Sequence, residues 1–136
     1  MKAPQRPVVS GSDNRWDTRV VFTGYVKLFF KDHALGQYPA RDLSQGGLFV
    51  EGEVNIPDGE VFRLELYDTG RHSNLKLTFW GKIVRRQREG VGVKFTSMQE
   101  DSFMFLQTMV LYFADDPVGA AERFHEDFPA DIEITN

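Results

Sequence analysis

The chain has 136 residues, 41% of them hydrophobic, with no cysteine and a formal net charge of −4. A chain of that length folds as one domain and buries roughly two thirds of its unfolded surface, without needing a disulfide or structural metal. The missing cysteine excludes disulfides, thiolate metal sites and a catalytic thiol. His33, His72 and His125 stand in separate segments without a partner at metal-ligand or triad spacing, so neither an enzyme nor a metal protein is expected.

No run approaches ~18 consecutive apolar residues, the length that would span a bilayer. The opening "MKAPQRPVVSGSDN" lacks the apolar centre of a secretory signal. The expected location is the cytoplasm. Charge is unevenly placed: Asp115, Asp116, Glu122, Glu126, Asp127, Asp131 and Glu133 face only Arg123 in residues 115–136. The tail is therefore strongly acidic and the body slightly basic. A net negative chain also argues against an open platform for long nucleic acid.

Residues 1–14, rich in Pro, Ser, Gly and Asn, read as a flexible N-terminal arm. "VVFTGYVKLFF" from Val20 is a long β-branched and aromatic strand, with a bulge expected at Gly24. "GQYPARDLS" is a short, interrupted strand and "GGLFVEG" a compact one. "NIPDGE" is a turn feeding "VFRLELYD", where Phe62, Leu64 and Leu66 alternate with Arg63 and Glu65, the pattern of a half-buried strand. After "DTGRHSN" come "LKLTFWGKIVRR", the turn "QREG" and "VGVKF".

Six strands at hairpin spacing with no helix between them predict a mainly β fold. A closed antiparallel barrel is the economical solution because closure removes exposed edges. The helix comes last: Ser97 and Glu100 read as a capping box opening "SMQEDSFMFLQTMVLYFADDP", and the Asp-Asp-Pro stops it. Phe103, Leu106, Val110 and Phe113 form an apolar stripe, and Met104, Phe105, Met109, Leu111 and Tyr112 occupy the other faces. Such a helix either packs between the barrel and the short terminal helix suggested by "PVGAAERFHEDF", or offers a self-association surface, giving a monomer or a homodimer. The expected divisions are an arm over 1–14, a barrel with its helix over 15–114, and an acidic extension over 115–136.

Two local features carry the chemistry. Arg15-x-x-x-Arg19 lies where the arm meets the first strand, and Asp42-x-Ser44-x-x-Gly47 lies between two strands. Alone, the first is ordinary surface charge and the second an ordinary turn with side-chain-to-backbone bonds. Together, in this order and on a barrel, they resemble the signature of the PilZ-domain family, bacterial receptors for the second messenger cyclic di-GMP. "GLFVEG…PDGEVFRLEL…GKIVRRQREGVGVKFTSM" is similar to that family's barrel strands, so the resemblance covers most of the chain from Arg15 onward.

The resemblance implies a six-stranded antiparallel PilZ-type barrel with a C-terminal helix, and a cyclic di-GMP site formed by Arg15, Arg19, Asp42, Ser44, Gly46 and Gly47. Residue chemistry agrees with that ligand. Guanidinium groups bind phosphate bidentately, pair with the guanine O6/N7 edge and stack on purines. The carboxylate of Asp42 can accept from guanine N1–H and N2–H, which a site for a bare anion does not need. Ser44 can donate or accept, and Gly46 and Gly47 allow close backbone approach or positive φ. The family pattern further implies that the arm orders over the ligand and signals to a protein partner, with no cofactor and no catalytic residue.

Asn14, Trp16, Arg41 and Arg86 are secondary candidates for the site. Asn14 stands where many family members carry a further arginine, so one cation is missing; stoichiometry stays open, with a lean toward one nucleotide. Trp16 either stacks on guanine or seals the barrel edge. Arg41 either adds charge at the site or faces solvent. Arg85, Arg86 and Arg88 cluster at the last hairpin, and alternation sends one of Arg85 and Arg86 outward; the cluster reads as a solvated hairpin, with contact to the ligand by Arg85 or Arg86 left open. Two rival readings remain: a barrel for single-stranded nucleic acid, and a PilZ-like adaptor acting through proteins without nucleotide.

Overall fold

The computed structural model describes residues 24–68, 76–112 and 116–135. The arm, Asn14, Arg15, Trp16, Arg19, the start of the first strand at Val20 and Phe113 lie outside the described residues.

Strand β1 (Gly24–Phe30) turns into β2 (His33–Arg41) through Lys31 and Asp32, whose φ angles are 51° and 67°. Two consecutive left-handed residues give a hairpin turn whose twist matches its strands. The sequence predicts a bulge at Gly24, but Gly24 pairs regularly with Ala40 and Asp68. The register shifts instead between Leu28 and Phe29, where Leu35 is the extra residue on β2. Pro39 interrupts β2 only in appearance. Pairing with the next strand is confined to Ala40 and Arg41, so the missing N–H of Pro39 removes no bond there.

Strands β3 (Gly47–Glu51), β4 (Phe62–Asp68), β5 (Lys76–Gln87) and β6 (Gly90–Gln99) complete the six expected antiparallel strands. Around the barrel the order is β1-β2-β3-β6-β5-β4, closed by β4 against β1. Inward residues follow the period of two: Val26 and Leu28 on β1, Phe62, Leu64 and Leu66 on β4, Leu77 and Phe79 on β5, Val93 and Phe95 on β6, all buried. Phe79 and Phe95 stack at 4.3 Å in the centre.

The chain from β3 to β4 crosses one end of the barrel, dipping Val54 and Ile56 into the core. Arg86 of β5 holds this crossing. Its guanidinium donates to the carbonyls of Val54, at 3.0 Å, and Ile56, and its Nε binds Asp58 at 2.6 Å.

The helix does not begin with a Ser97–Glu100 capping box. Ser97 belongs to β6, paired with Trp80, and helix α1 (Glu100–Tyr112) starts directly after the strand. A neighbouring strand on each side supplies backbone partners that outweigh the local capping preference. Where β6 leaves the sheet, the hydroxyl of fully buried Ser102 accepts from the Thr78 N–H at 3.0 Å, replacing a ladder partner.

Helix α1 packs on β5 and β6 and against helix α2 (Pro117–Asp127). Leu106 is fully buried, and Phe103 meets Phe124 and Phe128 at 5.5 and 5.0 Å. Met104, by contrast, is half exposed. Asp116 caps α2 by accepting from the Gly119 N–H at 3.2 Å, with proline at the helix start. The tail then forms a strand that the sequence does not announce. Strand β7 (Glu133–Thr135) lies parallel to Ser97, Met98 and Gln99, on the stretch of β6 that β3 leaves unpaired beyond Lys94.

Candidate ligand groove at the β2–β3 junction

Loop 42–47 joins β2 to β3. Asp42 opens it with a φ of 59°, a left-handed conformation that Asp tolerates better than most residues because its short side chain can bond locally. The turn drives Leu43 into the core and buries Ser44 and Gln45. The Ser44 N–H donates to the Gly47 carbonyl at 2.9 Å, and its hydroxyl approaches the same oxygen at 3.4 Å. Phe95 N–H donates to the Gly46 carbonyl at 2.8 Å, tying the loop to β6. From the other side, the Gln45 amide donates to the Phe124 carbonyl of α2 at 3.1 Å. A loop bonded on both flanks presents its polar groups from a fixed position.

The two glycines differ. Neither has a positive φ. Gly47 pairs with Lys94, and a Cβ there would be driven into the backbone carbonyl of Val93, so this glycine is what lets β3 close on β6. At Gly46 the nearest group to an added Cβ is the Pro129 ring, at 3.7 Å, an ordinary contact.

Asp42, Ser44, Gly46 and Gly47 line one open groove of about 280 Å³, whose far wall is formed by β5 and β6. Four of the sequence candidates are therefore brought together. Arg15, Arg19, Asn14 and Trp16 fall outside the described residues. Arg41 borders the loop but is occupied: its Nε lies 3.4 Å from Glu51, and its guanidinium sits 4.5 Å from the centre of the Phe49 ring. Arg86 is spent on the β3–β4 crossing and does not line the groove.

Two other cations line it instead: Arg85, one of the hairpin arginines, and Lys94, which the sequence does not single out. The register of β5 shifts between Ile83 and Arg85, leaving Val84 as an extra residue. Such a bulge re-aims side chains, and here both Val84 and Arg85 border the groove. Strict alternation could not reveal this, because the bulge depends on how β6 pairs. Lys94 was legible in principle, as the outward residue between buried Val93 and Phe95. Its ammonium binds Asp131 at 2.9 Å.

The groove thus combines a carboxylate, a hydroxyl, backbone groups and cations, a set suited to a ligand bearing both N–H donors and anionic oxygens. The hydrogen bond and charge of Lys94 hold the Asp131 carboxyl below its ordinary range. The other shifted groups lie on β4. Burial pushes Glu65 up, but bonds and charge from Tyr67, Lys76 and Arg63 outweigh it and lower the carboxyl. Burial and the bond to Glu65 push the Tyr67 hydroxyl up to about 12.

Among the described residues no helix is long and apolar enough to cross a membrane. No curated protein matches the chain. Among solved structures, the Bacillus subtilis inhibitor of motility, MotI/DgrA, shares the fold at a TM-score of 0.56 and 14% identity, over 74% of this chain and 49% of that one. The chain thus spans about half the length of that structure. The model of the PilZ domain matches residues 13–112, a stretch that contains all six barrel strands and both arginine and Asp-x-Ser motifs. This chain belongs to the PilZ domain family, non-enzymatic receptor and adaptor domains associated with cyclic di-GMP.

Proposed function

We propose that this protein is a bacterial receptor for cyclic di-GMP, bound in the groove of loop 42–47 and covered by Arg15 and Arg19. The observation that carries the reading is that Asp42, Ser44, Gly46 and Gly47 line a single groove on a PilZ barrel. Asp42 accepts from a guanine N1–H and N2–H, and Ser44 with the loop backbone completes the polar contacts. Arg15 and Arg19 bind phosphate oxygens or the guanine O6/N7 edge, where a planar fork is worth more than a point charge.

Ordering the arginine segment over the ligand costs about 1–2 kcal/mol per residue in backbone entropy, offset by charge-assisted bonds and base stacking. The ordered segment is then the signal, read by a protein partner in the cytoplasm. Motility or biofilm control is the process we assign to it, the former in keeping with the inhibitor of motility whose fold it shares.

Calorimetric titration with cyclic di-GMP tests the reading, with size-exclusion of free and bound forms reporting the oligomeric state. Micromolar binding that is lost in Arg15→Ala and Arg19→Ala is the expected result. No heat with the nucleotide, alongside capture of a protein partner by the free chain, would leave an adaptor in place of a receptor.

A further inference from the structure

Arg85 differs from the other cations near the groove in its partners among the described residues. Arg41 is engaged by Glu51 and Phe49, Arg86 by Asp58 and two carbonyls, and Lys94 by Asp131. Among the described residues Arg85 has no ion pair. It is held in place all the same. Its cross-strand neighbour is Gly92, and a Cβ built there would lie 3.3 Å from one guanidinium nitrogen, 3.4 Å from the guanidinium carbon and 3.5 Å from the Arg85 Cβ. The side chain is laid across the glycine, in a space that any larger residue would contest. Beside it the bulge exposes Val84, a large apolar side chain 56% open to solvent on the same groove wall.

A planar cation next to an exposed aliphatic side chain, facing a carboxylate-bearing loop, is a surface for the face of a purine. We infer that Arg85, seated on Gly92 and flanked by Val84, is a further ligand-binding residue that stacks on a guanine base while Asp42 reads that base's edge. The inference rests on the cyclic di-GMP reading and assigns the missing part of it. The loop supplies edge recognition, and the β5 bulge supplies the platform.

The test is titration of cyclic di-GMP into the wild-type chain and five variants: Arg85→Ala, Arg85→Lys, Arg85→Gln, Gly92→Val and the Arg85→Ala/Gly92→Val double. Arg85 lies on the outer surface, so thermal unfolding of its variants should match wild type. Expected are at least tenfold weaker binding in Arg85→Ala, no rescue by Arg85→Lys, and a double variant no worse than Arg85→Ala, because displacing and deleting one guanidinium remove the same contact. Arg85→Gln provides a check on charge that does not disturb Gly92, and should bind as weakly as Arg85→Ala. Wild-type affinity in Arg85→Ala overturns the inference and leaves the receptor reading standing. Full rescue by lysine overturns stacking in favour of simple charge. Absence of binding by wild type removes the receptor reading, and this inference with it.

Discussion

Lys94, on the wall of the groove at the β2–β3 junction, is bound at 2.9 Å by Asp131 of the C-terminal segment. Two residues before Asp131, Pro129 faces Gly46 of loop 42–47, and the neighbouring Gln45 donates to α2. The acidic extension is therefore fastened to the groove from behind. The pair is exposed and contributes little on its own, but it links the groove's charge to the docking of β7.

Asp131 has its folded-state pKa lowered, so its contribution is present above the unfolded value and lost as pH falls through the folded one. The protection of the β7 amides of Glu133, Ile134 and Thr135 against hydrogen exchange, taken relative to the intrinsic rate at each pH, should fall on acidification below the ordinary aspartate range. In Asp131→Asn the lowered protection should already be present at neutral pH. The same variant frees Lys94 and should tighten anion binding a few-fold, with the gain erased by salt. Unchanged β7 protection in Asp131→Asn would show that the pair does not hold the segment.

Asp42 combines a carboxylate with a left-handed backbone, and two substitutions separate these roles. Asp42→Asn keeps a residue that tolerates positive φ, so stability should stay near wild type while cyclic di-GMP binding weakens. Asp42→Ala should lose binding too, and in addition about 1 kcal/mol of stability in chemical denaturation. Both should weaken cyclic di-GMP more than a phosphate-only anion; equal losses for the two would reduce Asp42 to a turn residue. Arg15→Ala and Arg19→Ala should each cost about 2 kcal/mol of affinity or more.

Gly46 and Gly47 are neighbours in sequence with opposite tolerances. Gly47→Ala directs a methyl group at the Val93 carbonyl and should destabilise the barrel by about 1–3 kcal/mol, the usual scale of overpacking. Gly46→Ala meets only ordinary contact with Pro129 and should unfold at nearly the wild-type temperature. Similar melting of both variants would mean that β3 can move away from β6 at little cost.

Arg86→Ala removes the donor that satisfies the Val54 and Ile56 carbonyls. It should destabilise the chain by about 1–2 kcal/mol and leave nucleotide affinity unchanged. A loss of affinity with intact stability would return Arg86 to the site.

The barrel was legible because its strands carry their own signal. Phe62, Leu64 and Leu66 alternate with polar residues, and the runs are separated by turn residues at hairpin spacing. The start of α1 was not legible. Ser97 and Glu100 satisfy a local capping rule, yet β5 and β7 claim Ser97 for the sheet, and its strand partners lie 17 and 36 positions away. The tail strand escaped for the same reason: Glu133, Ile134 and Thr135 are too few to show a period, and pair because β6 has a free edge beside them.

The sequence by itself determined the strand rhythm and the Asp42-x-Ser44-x-x-Gly47 loop, since both depend on residue types at short fixed spacing. The tertiary structure decided which cations share the groove with that loop. Arg85 and Arg86 are adjacent and chemically identical, but the Val84 bulge opposite β6 sends one to the groove wall and the other across the barrel end. A bulge is a property of the paired strands, so no reading of one strand could have chosen between them.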